Sequence, residues 1–278
     1  MSTKKIPLAG VIGSPISHSR SPMIHNTWLK RYGIKGHYIP MAIEQVDLAE
    51  ALVVLPKLGF VGLNVTIPHK ERVLELADLV TDRAAVIGAA NTLIFRKDGK
   101  IHADNTDGYG FTKNIQQIAP DFDAAAGPAV VFGAGGASRA IVTALIEAGA
   151  PEIRITNRTR ARADALKSEF GAKVTCYDWV KAPQAVDGAA TVVNTTSLGM
   201  EGQPEFKVSL DKLSSNALVT DLVYTPLKTE FLKVAESKGC RTVDGLGMLL
   251  HQAIPGFERW FNKRPEVDDD LRQAVLNG

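Results

Sequence analysis

Phe132-Gly133-Ala134-Gly135-Gly136-Ala137-Ser138-Arg139-Ala140 follows a short apolar run at residues 129–132 and opens an amphipathic stretch that reaches Gly149. That order predicts a strand, a glycine turn and a helix, the context a dinucleotide-binding turn requires. Glycines allow the tight bend and the close backbone approach, and the N–H groups at the helix start lack helical acceptors and can face a pyrophosphate. The string departs from G-x-G-x-x-G at Ser138, where a third glycine would stand. Alone, it fits an ordinary tight strand-to-helix turn as well.

The next strand sharpens the reading. Where the ligand is NAD, an Asp or Glu about 20 residues past the turn holds the ribose 2′-hydroxyl. Here a strand at residues 153–156 runs into Thr156-Asn157-Arg158-Thr159-Arg160-Ala161-Arg162. No carboxylate stands there, and planar, permanently charged guanidinium groups suit a 2′-phosphate. A solvated basic helix start is the alternative; the position and sign of the cluster together select NADP.

Around this unit, 278 residues with 45% hydrophobic and 22% charged side chains describe an ordinary globular chain, enough for two compact domains or one large one. Lysines and arginines number 32 against 30 acidic residues, and a net charge of +2 is too weak a field to draw nucleic acid or an anionic membrane. Cys176 and Cys240 stand far apart without C-x-x-C spacing, which argues against a disulfide scaffold or zinc site and predicts reduced, buried thiols in a cytoplasmic protein. Lys4-Lys5 and the apolar residues 6–12 imitate a signal peptide. Pro7, Gly10 and Gly13 interrupt the run and no small-x-small site closes it, so a first strand is the better reading. No apolar run approaches the roughly 18 residues of a membrane span.

Short apolar runs alternate with longer amphipathic stretches along the whole chain, which predicts an α/β fold on mainly parallel sheets. Strands are expected at residues 8–12, 37–41 and 62–65, with helices at 23–32 and 46–58. Residues 68–79 suit an amphipathic helix with Pro68 in its first turn. Residues 91–95 and 100–103 flank Asp98-Gly99, a hairpin signal that places antiparallel pairing at the edge of the first sheet. A boundary loop is expected around residues 116–128, followed by strands at 129–132, 153–156, 174–176, 191–194 and 218–222. No internal repeat or low-complexity segment interrupts the pattern.

Three segments in the first part are unusually polar for strand ends, where ligands collect in open α/β sheets. They are Gly13-Ser14-Pro15-Ile16-Ser17-His18-Ser19-Arg20-Ser21-Pro22; Asn64-Val65-Thr66-Ile67-Pro68-His69-Lys70; and Asn91-Thr92 with Asp104-Asn105-Thr106-Asp107-Gly108. Each has a plainer role singly: a turn with a helix cap, a surface lysine, a capping aspartate. As a set they offer hydroxyls, amides, one cation and one anion, with no metal-ligand spacing and no G-x-S-x-G elbow. Such a site suits a small polyhydroxylated acid. Lys70 and Asp107 could pass a proton to or from a substrate oxygen while a nicotinamide handles the hydride. His69 is turned roughly 100° from Lys70 on a helix and is set aside.

Those segments, together with Gly88-Ala89-Ala90-Asn91-Thr92, the glycine turn, Asn157-Arg158-Thr159 and Asp244-Gly245-Leu246-Gly247-Met248-Leu249-Leu250-His251-Gln252-Ala253, resemble the shikimate dehydrogenase family in the same order over nearly the whole chain. The resemblance implies two α/β domains, a discontinuous substrate domain plus a Rossmann-like NADP-binding domain, with the active site in the cleft between them. The implied spans are residues 1–110 for the first segment of the substrate domain, 111–243 for the NADP-binding domain, and 244–278 for C-terminal helices that return to the substrate domain. It implies reversible NADPH-dependent reduction of 3-dehydroshikimate to shikimate on the chorismate route to aromatic amino acids. Ser17 and Ser19, helped by Tyr224, match positions that bind the substrate carboxylate; Thr66, Asn91, Asp107 and Gln252 match those that hold ring hydroxyls. Lys70 and Asp107 match the catalytic pair. Residues 133–137, including Gly133, Gly135, Gly136 and Ala137, would take the pyrophosphate, and Asn157, Arg158, Thr159 and Arg162 the 2′-phosphate. Thr196, Ser197, Leu222, Gly245, Met248 and Leu249 would line the nicotinamide half. Ser138 is normal for this family. His251 departs from it, standing where relatives carry a small residue, and a titratable group there could alter pH dependence or ring preference.

Two other functions fit parts of this pattern. A quinate/shikimate dehydrogenase of broader range would differ by one ring hydroxyl, and the basic residues 158–162 speak against its frequent preference for NAD. A non-catalytic module sensing NADP or a pathway metabolite would need no proton donor such as Lys70. The family contains monomers and dimers, so a homodimer is compatible with the resemblance.

Overall fold

The computed structural model describes residues 6–277; residues 1–5, with the Lys4-Lys5 pair, and residue 278 lie outside the described residues. The chain forms two units, Met1–Asp107 with Leu249–Gly278, and Gly108–Met248. It leaves the first unit within helix Asp107–Ile118 and returns to it within helix Gly245–Phe261.

The first unit is built on six strands: β1 (Leu8–Gly13), β2 (His37–Ala42), β3 (Phe60–Val65), β4 (Leu79–Val80), β5 (Thr92–Phe95) and β6 (Ile101–Asp104). Their spatial order is β2-β1-β3-β5-β6-β4. β1 pairs in parallel with β2 and β3, and β4 with β6, whereas β5 runs antiparallel to both β3 and β6. The sheet is therefore mixed. The hairpin around Asp98-Gly99 sits one strand in from the edge, which the two-residue β4 occupies.

Ile12, Leu63, Val65, Leu93 and Ala103 project from one face of this sheet into a core shared with Leu48, Leu52 and Val73. An aromatic group fills another part of the unit: His25 stacks on Tyr38 at 4.0 Å, and Trp28 meets Phe257 edge-on at 5.2 Å. Burial pushes the His25 imidazole down to about 3, so it is a neutral core residue.

The expected helix at residues 68–79 is much shorter, Arg72–Leu76, and residues 67–71 form turns after a cis Ile67-Pro68 bond. The Lys70 carbonyl accepts the Ala90 N–H at 2.8 Å and the Asp78 N–H reaches Ile101 O at 2.9 Å, so strand-side partners replace a helical ladder at both ends. The stretch expected as one helix at 46–58 is an α-helix, Leu48–Val54, continued by a 3₁₀ turn, Leu55–Leu58, that carries Pro56. Pro56 has no N–H to give an α-helical ladder.

The second unit has β7 (Ala129–Phe132), β8 (Ile153–Asn157), β9 (Val174–Asp178), β10 (Thr191–Asn194), β11 (Leu218–Asp221) and β12 (Arg241–Val243), all parallel, in the order β12-β11-β10-β7-β8-β9. Counted within the unit, this is the 3-2-1-4-5-6 order of a dinucleotide-binding fold, whose crevice opens where β7 and β10 lead to opposite sides. Alternate residues of β7 enter different cores: Ala129 and Val131 join Ile141, Leu145 and Ile155, while Val130 and Phe132 join Phe206 and Phe231. This unit begins upstream of the loop expected as a boundary at residues 116–128, because Phe111 and Ile115 of helix Asp107–Ile118 pack into its core. Both cysteines are free; Cys240 is buried, but Cys176 is only half-buried.

Gly62 of β3 lies where an added Cβ would collide with Trp260 Nε1 and the Leu93 carbonyl, two groups that bond to each other at 3.0 Å. Gly62→Ala is expected to destabilise the protein by roughly 1–3 kcal/mol, the range for overpacking a fixed core. Urea unfolding followed by tryptophan fluorescence measures it, and an unchanged midpoint would contradict the packing.

Candidate active site

Strand direction decides which side chains meet. β1, β3 and β6 run the same way, so Gly13, Val65 and Asp104 end at one edge of the first sheet; antiparallel β5 begins there, with Asn91 just before it. The pairings of Asn64 with Thr92 and of Thr92 with Asp104 place the polar segments side by side. Two backbone bonds tie the loop after β1 to the loop after β3, Thr66 N to Ile12 O at 2.9 Å and Ser14 N to Ile67 O at 3.0 Å.

At this edge Lys70 donates from Nζ to Asp107 Oδ2 at 2.6 Å. Asn91 donates from Nδ2 to Asp107 Oδ1 at 2.7 Å and to Gln252 Oε1 at 3.1 Å. The Asn91 amide can face only this way: its Oδ1 accepts Thr106 N–H at 2.9 Å and Thr92 Oγ1 at 3.0 Å. Lys70, Asn91, Asp107 and Gln252 are thus one hydrogen-bonded group, in which a cation and a carboxylate lie within proton-transfer distance. Gln252 reaches it from the C-terminal helix, held there by Thr106 Oγ1 bonding to its carbonyl at 2.8 Å.

The other substrate candidates of this unit lie in the neighbouring loops. Thr66 is half-buried just before the turn that carries Lys70, Ser17 is exposed, and Ser19 is half-buried with its Oγ accepting Ser21 N–H at 3.4 Å. His69 is fully buried and bonds through Nε2 to Ile43 O at 2.7 Å, which anchors the turn that carries Lys70. His251 is buried as well. Sequence reasoning included Thr92 and Thr106 in the polar segments without giving them a role, and both bond to Asn91 Oδ1; the pairing of Arg83 with Asp104 it did not foresee. Arg83 grips Asp104 through Nε at 2.6 Å and a terminal nitrogen at 2.5 Å. Burial pushes the Asp104 carboxyl up, but the bonds from Arg83 and Thr81 outweigh it and hold the group below its ordinary value.

In the second unit the glycine turn has the shape a pyrophosphate needs. Gly133 has φ +113°, and a Cβ on Gly135 or Gly136 would meet nothing within 4 Å. Ser138 explains its own departure from glycine: fully buried, it accepts the Gly135 N–H at 3.1 Å and meets Thr195 Oγ1 at 2.6 Å, bracing the turn. At the end of β8, Asn157 Nδ2 bonds to Thr159 O at 2.8 Å. Arg160 is occupied by Asp164 and Asp178, while Arg158 and Arg162 are exposed and form no ion pair among the described residues. The donor set therefore fits a dinucleotide with a 2′-phosphate: an open glycine cradle, a helix start, and two uncommitted guanidinium groups in place of a carboxylate.

The remaining cofactor candidates sit at other strand ends of this unit or on the helix that leaves it. Thr196 and Ser197 follow β10, and Leu222 and Tyr224 follow β11. Gly245, Met248 and Leu249 lie on helix Gly245–Phe261, where Met248 packs into the β7 core and Leu249 belongs to the first unit. Asn194 and Asp221, the last residues of β10 and β11, were missed. Both are fully buried, and Asn194 Nδ2 donates to Asp221 Oδ1 at 2.9 Å. A polar residue closing an otherwise apolar strand was the available signal.

A Rossmann-ordered sheet with an open glycine turn, in one chain with a paired lysine and carboxylate, defines a nicotinamide-dependent oxidoreductase. Three family models match: shikimate dehydrogenase substrate binding domain at residues 11–93, shikimate / quinate 5-dehydrogenase at 114–200, and shikimate 5′-dehydrogenase C-terminal domain at 245–276. The chain is 71% identical to a shikimate dehydrogenase (NADP(+)) of Cereibacter sphaeroides, covering 98% of each chain. Among solved structures, it is similar to the Thermus thermophilus shikimate 5-dehydrogenase in complex with NADP(H) and shikimate, with 34% identity, TM-score 0.87, and 98% and 99% of the two chains covered. It is also similar to a Corynebacterium glutamicum quinate dehydrogenase in complex with NAD, with 31% identity, TM-score 0.90, and 98% and 99% covered. The chain belongs to the shikimate dehydrogenase family.

Asp221 supplies a pH signature for the second unit. Burial pushes its carboxyl up to about 6, and the bonds from Thr229, Val223 and Asn194 offset this only in part. The native group keeps its proton to about pH 6, whereas an unfolded chain releases it near 4. Over that window the native state binds more protons than the unfolded state, so this residue's contribution to stability falls as pH rises, by about 3 kcal/mol in all. Asp221→Asn has no charge to bury; its melting temperature is expected to exceed wild type at pH 8 and to match it near pH 4. Calorimetry across that range tests this, and a variant less stable than wild type at pH 8 would contradict it.

Proposed function

We propose that this chain catalyses the reversible NADPH-dependent reduction of 3-dehydroshikimate to shikimate, a step toward chorismate and the aromatic amino acids. The observation that carries the proposal is the bond between Lys70 and Asp107 at the edge of the first sheet, in a chain so similar to NADP-dependent relatives. When bound, NADPH supplies the hydride. Lys70 and Asp107 hold the proton for the substrate's C3 oxygen, delivering it in reduction and taking it back in oxidation. Thr66, Asn91, Asp107 and Gln252 hold ring hydroxyls, and Ser17, Ser19 and Tyr224 hold the carboxylate. Residues 133–137 bind the pyrophosphate, and Asn157, Arg158, Thr159 and Arg162 the 2′-phosphate. Thr196, Ser197, Leu222, Gly245, Met248 and Leu249 line the nicotinamide. The proposal includes a cytoplasmic enzyme, a monomer or homodimer, with no nucleic-acid or membrane partner; among the described residues no helix is long and apolar enough to cross a membrane.

Initial rates by NAD(P)H absorbance, for shikimate or quinate with NADP or NAD, test the reading. Turnover is expected with shikimate and NADP; comparable turnover with quinate or NAD would make the chain a broader quinate/shikimate enzyme, and silence in all four would favour a sensor. Lys70→Ala is expected to lower kcat by roughly 10²–10⁴ while leaving NADP affinity nearly intact; an unchanged rate would remove Lys70 from the proton step. Neutralising Arg158 and Arg162 together is expected to weaken NADP and spare NAD, and equal losses would refute the 2′-phosphate assignment.

A further inference from the structure

We propose that Asp221 is a positioning residue that holds the loops after β10 and β11 in the shape needed by the nicotinamide half of the cofactor and by Tyr224. The inference rests on the function proposed above and extends it to residues that touch neither substrate nor cofactor.

The geometry is a buried carboxylate used as a knot. Its Oδ1 accepts Asn194 Nδ2 at 2.9 Å and the Val223 N–H at 3.0 Å; its Oδ2 accepts Thr229 Oγ1 at 2.6 Å. Asn194 carries the hold onward, since its Oδ1 accepts both the Thr196 N–H at 3.0 Å and Thr196 Oγ1 at 2.7 Å, while its Nδ2 also reaches Leu198 O at 3.2 Å. Thr196 Oγ1 then accepts the Leu198 N–H at 3.1 Å, and the Leu222 N–H bonds to Asn194 O at 2.9 Å. Thr196, Ser197, Leu222 and Tyr224 each lie within three residues of this knot along the chain.

No lysine, arginine or histidine pairs with Asp221 among the described residues, and a lone buried charge works against the fold. A hydrophobic residue there would avoid that cost but orphan the Val223 N–H and the Asn194 amide. Only an acceptor with two oxygens gathers two nitrogen donors and a hydroxyl from separate loops at once. The adenosine-side candidates, residues 157–162, share none of these bonds; they belong to β8 and the helix after it.

The test separates the two halves of the cofactor. In Asp221→Asn, one carboxylate oxygen becomes an NH₂ that can face Thr229 only as a donor, which reverses the bond closing the second loop. Calorimetric titration with NADP⁺ and with adenosine 2′,5′-bisphosphate, a probe of the adenosine side alone, is done on both proteins. Expected are a three- to tenfold weaker Kd for NADP⁺, bisphosphate affinity unchanged within about twofold, and a kcat lower by about tenfold or more. Thr229→Val, which deletes one donor and keeps the carboxylate, should move the same quantities in the same direction, and Thr229→Ser should restore them. If both probes weaken alike, or NADP⁺ affinity and kcat stay at wild-type values in Asp221→Asn and Thr229→Val, the proposal is overturned. Wild-type protein that binds NADP⁺ but does not oxidise shikimate would refute the proposed reaction instead, while the ratio of the two affinities still decides the role of Asp221.

Discussion

The bond between Lys70 and Asp107 depends on a reversal of strand direction. In a sheet wholly built from parallel crossovers, the residue before β5 would lie at the edge opposite the end of β3. Because β5 runs antiparallel and β6 turns back beside it, Asn91 and the segment after Asp104 reach the edge where Thr66 and Lys70 emerge. The turn at Asp98-Gly99 makes this possible, with Gly99 at φ +84°. The polar group at this edge is then organised around one amide, Asn91, whose two donors on Oδ1 leave its nitrogen no direction but toward Asp107 and Gln252.

The two units solve opposite electrostatic problems. In the first, Asp104 and Asp107 are buried carboxylates with cations beside them, Arg83 and Lys70. In the second, burial raises the Asp221 carboxyl, and its neutral donors offset this only in part, so its proton is held more tightly than that of an ordinary carboxyl. A cation beside a carboxylate lessens the cost of burying its charge, whereas amides and hydroxyls fix its direction without bringing an opposite charge. Nearby, Ser138 does a similar service without charge, bracing the glycine turn from inside.

Much of the fold was legible in the sequence because short apolar runs such as residues 129–132, buried along their whole length, alternate with longer amphipathic stretches. Two strands were not: β4 has two residues and β12 three, too few to show a period. The stretch after Pro68 imitated a helix by its apolar spacing, and tertiary bonds from Ala90 and Asp78 overrode it. At the site, the polar strand ends stood out, and with them Lys70, Asn91 and Asp107. Thr106, which supports Asn91, read as an ordinary loop residue until its bond is seen, and in the second unit Asn194 read as an ordinary strand end. Gln252 was reachable only through family resemblance, since no local signal says that a residue so late in the chain bonds to Asn91.

Helix Gly245–Phe261 has one more consequence, which concerns the order of events during synthesis. Its start is packed by Met248 into the β7 core, while Gln252, Phe257 and Trp260 complete a unit whose strands left the ribosome long before. The second unit is continuous in sequence and ends at Met248; the first cannot bury Trp28 against Phe257 or bond Leu93 to Trp260 until the final segment emerges. Growing chains therefore hold the earliest-made sheet with part of its apolar surface uncovered, the interval in which nascent proteins most need protection from one another.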